Sequence, residues 1–187
     1  MLQPIQQALT EAEIKELPEK LFAASRSALR LAKWDSRPQI RACSTILLFG
    51  AFSNHFSGPD LNTTQLVIWL GAAMRIAQLK GLHRLGSDPN KMPEEDAAWP
   101  TGPNCLKREM AKRLWIRLVL LDWQSALRTN LSSIHPDDFD TGLPLNLNDE
   151  DLDANKIIVE ARPVHEMTDI TYEVARFEMS VASSCLA

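Results

Sequence analysis

Cysteine is the first shortage. Cys43, Cys105 and Cys185 are odd in number, widely spaced and form no Cys-x-x-Cys pair. The chain therefore carries no disulfide framework and no cysteine zinc cluster of its own, and a reducing compartment fits best. Basic charge is also in deficit: 20 Lys and Arg face 24 Asp and Glu, for a net charge of -4. That balance argues against a surface built to coat nucleic acid. Glycine is sparse at 7 residues, and none falls in a Gly-x-x-x-x-Gly-Lys-Ser/Thr or Gly-x-Gly-x-x-Gly loop for phosphates. A Gly-x-Ser-x-Gly nucleophile elbow is missing as well. His55, His83, His135 and His165 show no metal-ligand spacing. The apolar run from Leu66 to Met74 falls far short of the ~20 residues that span a bilayer. Met1-Leu2-Gln3-Pro4 does not open a signal peptide. The chain reads as soluble and intracellular, with no catalytic, cofactor or metal residues to name.

Helical periodicity is what the chain has in abundance. Leu21, Phe22, Ser25, Ala28, Leu29 and Ala32 recur at three and four residues and predict one apolar stripe. Pro38 suits the first turn of a second helix, about Gln39 to Phe52, with Ile40, Cys43, Ile46, Leu47 and Gly50 on one side. Asn62, Thr63 and Thr64 can cap a third helix that runs to about Lys80, with Gly81 suited to the left-handed position after it. Its segment Leu66-Val67-Ile68-Trp69-Leu70 is apolar all round and predicts a central buried helix, where Gly71, Ala72 and Ala73 admit a close neighbour. Asn104 can cap a fourth helix to about Arg128, with Leu106, Met110, Leu114, Leu118 and Leu121 as its stripe. A last helix starts near Thr168 and carries Ile170, Val174, Phe177 and Val181. No alternating pattern predicts a strand. The expected fold is all-α, an irregular array of about five to six helices in one domain, residues 1–187, with exposed loops at 86–103 and 131–156.

Individual residues admit structural and functional explanations. Asp122 stands in the apolar run Leu118-Val119-Leu120-Leu121-Asp122-Trp123 and needs a partner, since an unpaired carboxylate there is costly. Arg75 on the third helix is the natural candidate. His83 and Arg84 follow a helix C-terminus, where the dipole would favour a protonated imidazole; a cap-and-turn role suits them better than catalysis. The cluster Lys107, Arg108, Lys112, Arg113 and Arg117 reads as a solvated helix face rather than a phosphate site. Glu109 and Arg113, at i,i+4 on that helix, are expected to contribute only a few tenths of a kcal/mol. Asp149, Asp151, Asp153, Asn155, Ile157 and Glu160 fall at the ligand spacings of a calcium loop, but Ala154 stands where the sharp turn demands glycine. A solvated acidic loop is the simpler reading. Arg75, Gln78 and Trp123 could line an inter-helix pocket, although packing alone would also bring them together.

Three segments recur in an order that carries more than any one of them. Ala77-Gln78-Leu79-Lys80-Gly81-Leu82-His83-Arg84 closes one helix, and Lys112-Arg113-Leu114-Trp115-Ile116 with Leu121-Asp122 forms another. Asp138-Phe139-Asp140-Thr141-Gly142-Leu143-Pro144 follows. This arrangement resembles the regulatory middle homology domain of fungal binuclear-zinc-cluster transcription factors (the xylanolytic-activator type), over roughly residues 20 to 182. Trp115-Ile116 stands where the family often has two tryptophans, and Arg128-Thr129-Asn130-Leu131 where a Gly-Arg-Pro segment is common.

The resemblance implies a nuclear, non-enzymatic regulatory module, the N-terminal part of such a region, controlling metabolic or secondary-metabolite genes. It implies protein partners, such as co-regulators or full-length relatives, and a small-molecule inducer as a further candidate. DNA would be reached only through a zinc cluster outside these residues. Family domains usually continue through more helices, so the last helix is expected to leave apolar surface open. The competing reading is a helical small-molecule binder or enzyme that merely shares the packing pattern.

Overall fold

The computed structural model of the protein describes residues 10–55, 63–129, 132–152 and 160–184. Among them the chain is all-α: helices α1 (Glu11–Leu31), α2 (Ile40–His55), α3 (Thr63–Leu79), α4 (Asn104–Thr129) and α5 (Thr171–Ser184), with no strand. Short 3₁₀ turns lie at Leu82–Arg84, Pro136–Asp138 and Asp149–Asp151. No helix of the described residues is long and apolar enough to cross a membrane.

Local chemistry sets the helix ends. Thr10 and Glu13 form a reciprocal capping box at the start of α1, satisfying backbone donors that have no partner within the helix. Helix α2 has no acid in its first turn. Asp96 supplies one from far along the chain: its carboxylate accepts from the Ile40 N–H at 3.2 Å and lies 3.5 Å from Lys80 Nζ at the end of α3. One side chain thus ties two helix termini to a loop. Gly81 takes φ 76°, the left-handed conformation that ends α3 with no Cβ penalty, as its position after the helix predicts.

Helices α2 and α3 pack through small residues. Ala42 and Cys43 meet Ala73 and Ala77 in the core, and Cys43 Sγ donates to the Ala73 carbonyl at 3.3 Å. Gly50 marks the close approach of α2 to α4, where a Cβ would sit 3.3 Å from Leu121 Cδ1. Gly71, by contrast, has nothing within 4 Å of a Cβ position and opens to the surface, so the expected close contact there belongs to Ala73 alone.

Two packing expectations are corrected. The central helix is α4, not α3. Trp115, Ile116, Leu118 and Val119 are fully buried, whereas Val67 and Ile68 at the start of α3 are 38% and 65% exposed. All-round apolarity says which faces a helix could bury, while its neighbours decide which are covered. On α1 only Phe22 and Leu29 of the expected stripe are buried; Leu21, Ala28 and Ala32 face outward. Phe22 engages two rings, edge-on to Phe49 at 4.9 Å and stacked on Phe52 at 5.1 Å. The last helix follows its expected stripe: Ile170, just before α5, is buried and Phe177 stacks on Trp123 at 5.3 Å, while Tyr172 and Met179 are exposed, the apolar surface expected to lie open there.

Cys43 provides a simple check on this packing. Burial pushes its thiol up to about 12, while Cys105 is partly open. Iodoacetamide at pH 8 should modify Cys105 readily and Cys43 at least about a hundredfold more slowly, by site-resolved mass spectrometry, because the thiolate is the nucleophile.

Candidate functional site

The three segments singled out in the sequence meet in one knot around Trp115. The turn Gly81–Leu85 lies against the Asp138–Pro144 loop. Thr141 Oγ1 donates to the Leu82 carbonyl at 2.6 Å and accepts from the Leu85 N–H at 3.0 Å. The Asp140 N–H donates to the His83 carbonyl at 3.0 Å, and its carboxylate accepts from the Gly86 N–H at 2.9 Å. Trp115, from the middle of α4, fills the space between: its ring is 5.9 Å from His83 and 5.6 Å, edge-on, from Phe139. These contacts are packing and backbone satisfaction. Thr141 stands in a segment already singled out, but its bridging role has no sequence signal, because a lone hydroxyl in a loop carries no periodicity.

Helix α4 then fastens the loops with Lys107, Arg108, Lys112 and Arg113, which corrects their assignment to a solvated face, while Arg117 is exposed as expected. Lys107, Arg108 and Arg113 are all less than 10% exposed. Arg108 donates to the carbonyls of Leu85, Gly86 and Lys91. Lys107 pairs with Glu95, and Lys112 reaches the Leu143 carbonyl at 3.3 Å. Arg113 joins Glu109, Asp149 and the Leu147 carbonyl. Irregular loops have carbonyls without partners in regular structure, and a central helix surrounded by such loops supplies the donors. The Glu109–Arg113 pair is accordingly buried, not a surface pair.

Other expected roles shift too. Arg75 is exposed and is not the partner of Asp122. Asp122 Oδ2 instead accepts from Ser132 Oγ, Ser133 N–H and Ile134 N–H at 3.0, 2.8 and 2.9 Å. A carboxylate can be satisfied by neutral donors from a nearby loop as well as by a cation. Asp149 and Asp151 of the acidic loop are engaged by Arg113 and Arg162. Asp153, Asn155 and Ile157 lie outside the described residues, and Glu160 is exposed.

His83 behaves opposite to the dipole expectation. Burial holds its imidazole below the usual histidine range, helped by the charge of Arg84 and opposed by Asp140. A histidine favoured neutral in the fold contributes stability that is present above pH ~6.5 and lost as pH falls below it. Acidification from pH 7.5 to 5.5 should therefore destabilise the wild type more than His83→Asn, by urea denaturation at both values; equal losses would contradict the assignment.

A furrow runs along the opposite side of α4. One part, a cleft of about 450 Å³, is lined by Ile40, Trp99, Leu106, Met110 and Leu152. A second, about 440 Å³, is lined by Leu47, Leu48, Ala51, Leu120 and Leu121. Both include Ser44, Leu114 and Arg117, so they adjoin between α2 and α4. Arg75, Gln78 and Trp123 border neither; the Trp123 indole N–H donates to the Ile134 carbonyl at 2.9 Å instead.

Comparison with known proteins places the chain among fungal transcription factors. The agnestins biosynthesis cluster transcription factor of Paecilomyces divaricatus is 25% identical over 176 residues, 91% of this chain and 24% of its own length. The pyriculol/pyriculariol biosynthesis cluster transcription factor 1 of Pyricularia oryzae is 34% identical over 57% of this chain and 14% of its own. Activator of stress genes 1 of Saccharomyces cerevisiae is 31% identical over 71% of this chain and 12% of its own. The chain thus spans a quarter or less of the length of these curated relatives. No solved structure matches. The family model described as fungal specific transcription factor domain matches residues 7–187, and the chain belongs to that family.

Proposed function

We propose that this domain is the regulatory body of a transcription factor acting in the nucleus on metabolic or secondary-metabolite genes. It works through protein contacts, and DNA is read by a zinc cluster outside these residues. The observation that carries the reading is the Trp115 knot: the segments on which the family resemblance rests are spent on holding helices and loops in register. The names of two relatives, both biosynthesis cluster factors, support the choice of gene set. A non-enzymatic role fits the buried carboxylates Glu109 and Asp122, each of which accepts through one oxygen from donors of the chain itself. A small inducer is a further candidate for the α2–α4 clefts, whose volumes lie in the range of small-ligand sites.

The test inserts residues 1–187 between a heterologous DNA-binding module and an activation segment in a fungal reporter strain. Output should change on insertion and revert when Trp115→Ala loosens the knot. Unchanged output in both cases would refute a regulatory role. A gel shift with random-sequence DNA should show no tight, salt-resistant binding by the isolated chain.

A further inference from the structure

The furrow between α2 and α4 has a chemistry of its own, which the knot does not use. Its floor is apolar and open: Leu48 is 69% exposed and Met110 39%, with Leu114 and Leu121 beside them. Its borders carry arginines. Arg41 and Arg117 are exposed on α2 and α4, and Arg176 extends from α5. Arg113 also reaches the lining but is buried and spent on Glu109, which leaves three arginines against two acids, Asp149 and Glu173. A net-positive border thus sits on a chain whose net charge is -4. Along α4 the furrow runs from Leu106 to Gln124, about 27 Å at the helical rise per residue.

An apolar trough of that length between cationic edges is complementary to a helix of about five turns with an apolar stripe and acidic flanks. We propose that the α2–α4 furrow docks an acidic amphipathic helix of a partner protein, with Leu48, Met110 and Leu121 against its stripe and Arg41, Arg117 and Arg176 on its carboxylates. This deepens the regulatory reading above by naming the partner's chemistry, and it rests on that reading for its biological meaning. Arg117 already has Glu173 at 3.2 Å, half-exposed, so an incoming carboxylate would share that guanidinium at little cost in packing. Arginine suits such a border because its fork binds carboxylates with defined geometry.

The probe is a fluorescein-labelled synthetic 20-residue helix with leucines at i, i+3, i+4 and i+7 and glutamates flanking them, titrated into the full chain. A second peptide of the same design carries lysines in place of the glutamates. The acidic peptide should bind and weaken severalfold between 50 and 300 mM salt, and the basic one should bind at least about tenfold more weakly. Arg41→Glu with Arg176→Glu should cost about tenfold in affinity, and Leu48→Glu at least as much, with thermal melts reporting that the fold is kept. Equal binding of the two peptides, or affinity unmoved by the charge reversals in a folded protein, would overturn the proposal. So would self-association of the free chain abolished by Leu48→Glu, since the furrow would then face a second copy. The reporter assay separates the two readings: peptide binding without any reporter effect refutes the regulatory role but not the docking site, and the reverse outcome does the opposite.

Discussion

Asp122→Ala should lower the unfolding free energy by about 2–4 kcal/mol, the cost of orphaning buried donors that share one acceptor. Its Oδ2 gathers three donors from the 132–134 segment, and the residue is only 4% exposed. Ile134 is itself buried, so its N–H finds no water when the carboxylate is removed. The same segment is held a second time by the Trp123 indole, which keeps it against α4 and denies it the freedom to relax. For a domain of this size the change corresponds to a fall in Tm of roughly 4–15 °C. Asp122→Asn, which keeps an acceptor oxygen, should cost much less. Hydrogen exchange gives an independent readout: the Ile134 amide should lose protection in the alanine variant before the α2–α3 core does. An alanine variant that melts within about one degree of wild type would show that the segment rearranges freely.

The place of Asp122 and the identity of its partner differ in how well the sequence disclosed them. A carboxylate within five apolar residues announces burial and the need for a partner. The partner was invisible, because the donors are neutral and come from a loop ten to twelve residues on, where no helical spacing applies. Helix number, approximate ends and the turn at Gly81 were legible, since they follow from periodicity and left-handed backbone geometry. The rank of the helices was not. Helix α4 carries more charge than α3, and long cations are normally solvated, so its central position inverts the usual inference. Only the loops around it explain why lysine and arginine can be buried there. The motif order identified the family, but it gave no hint of the loop hydroxyl that bridges Leu82 and Leu85 next to the His83–Trp115 contact. The furrow was hidden for a related reason: α2, α4 and α5 contribute residues separated by dozens of positions.

The buried cations make the second prediction the larger one. Arg113→Leu should destabilise by about 3–5 kcal/mol, the usual cost of stranding a buried charge when its partner is removed. Arg113 Nε lies 3.3 Å from Glu109 Oε1, Nη1 2.5 Å from Asp149 Oδ1, and Nη2 donates to the Leu147 carbonyl at 3.0 Å. Without it, Glu109 keeps the Leu145 N–H at 3.0 Å but no cation bonded to it. Burial already holds the Glu109 carboxyl above the usual carboxylate range, with Leu145 and Arg113 opposing that rise. Removing Arg113 must raise it further. A carboxyl raised in the fold gives stability that is present below its unfolded value and lost as pH climbs through its folded value. The variant's deficit should therefore be greatest near pH 7 and shrink towards pH ~5, as Glu109 takes up a proton. Pairing the change with Glu109→Met should recover a large part of the loss at pH 7, since no charge is then left in the core. Urea denaturation of wild type, single and double variants at the two pH values decides it. A deficit independent of pH, with no recovery in the double variant, would mean that Arg113 acts through its ties to the 147–149 segment and that Glu109 is solvated when it moves.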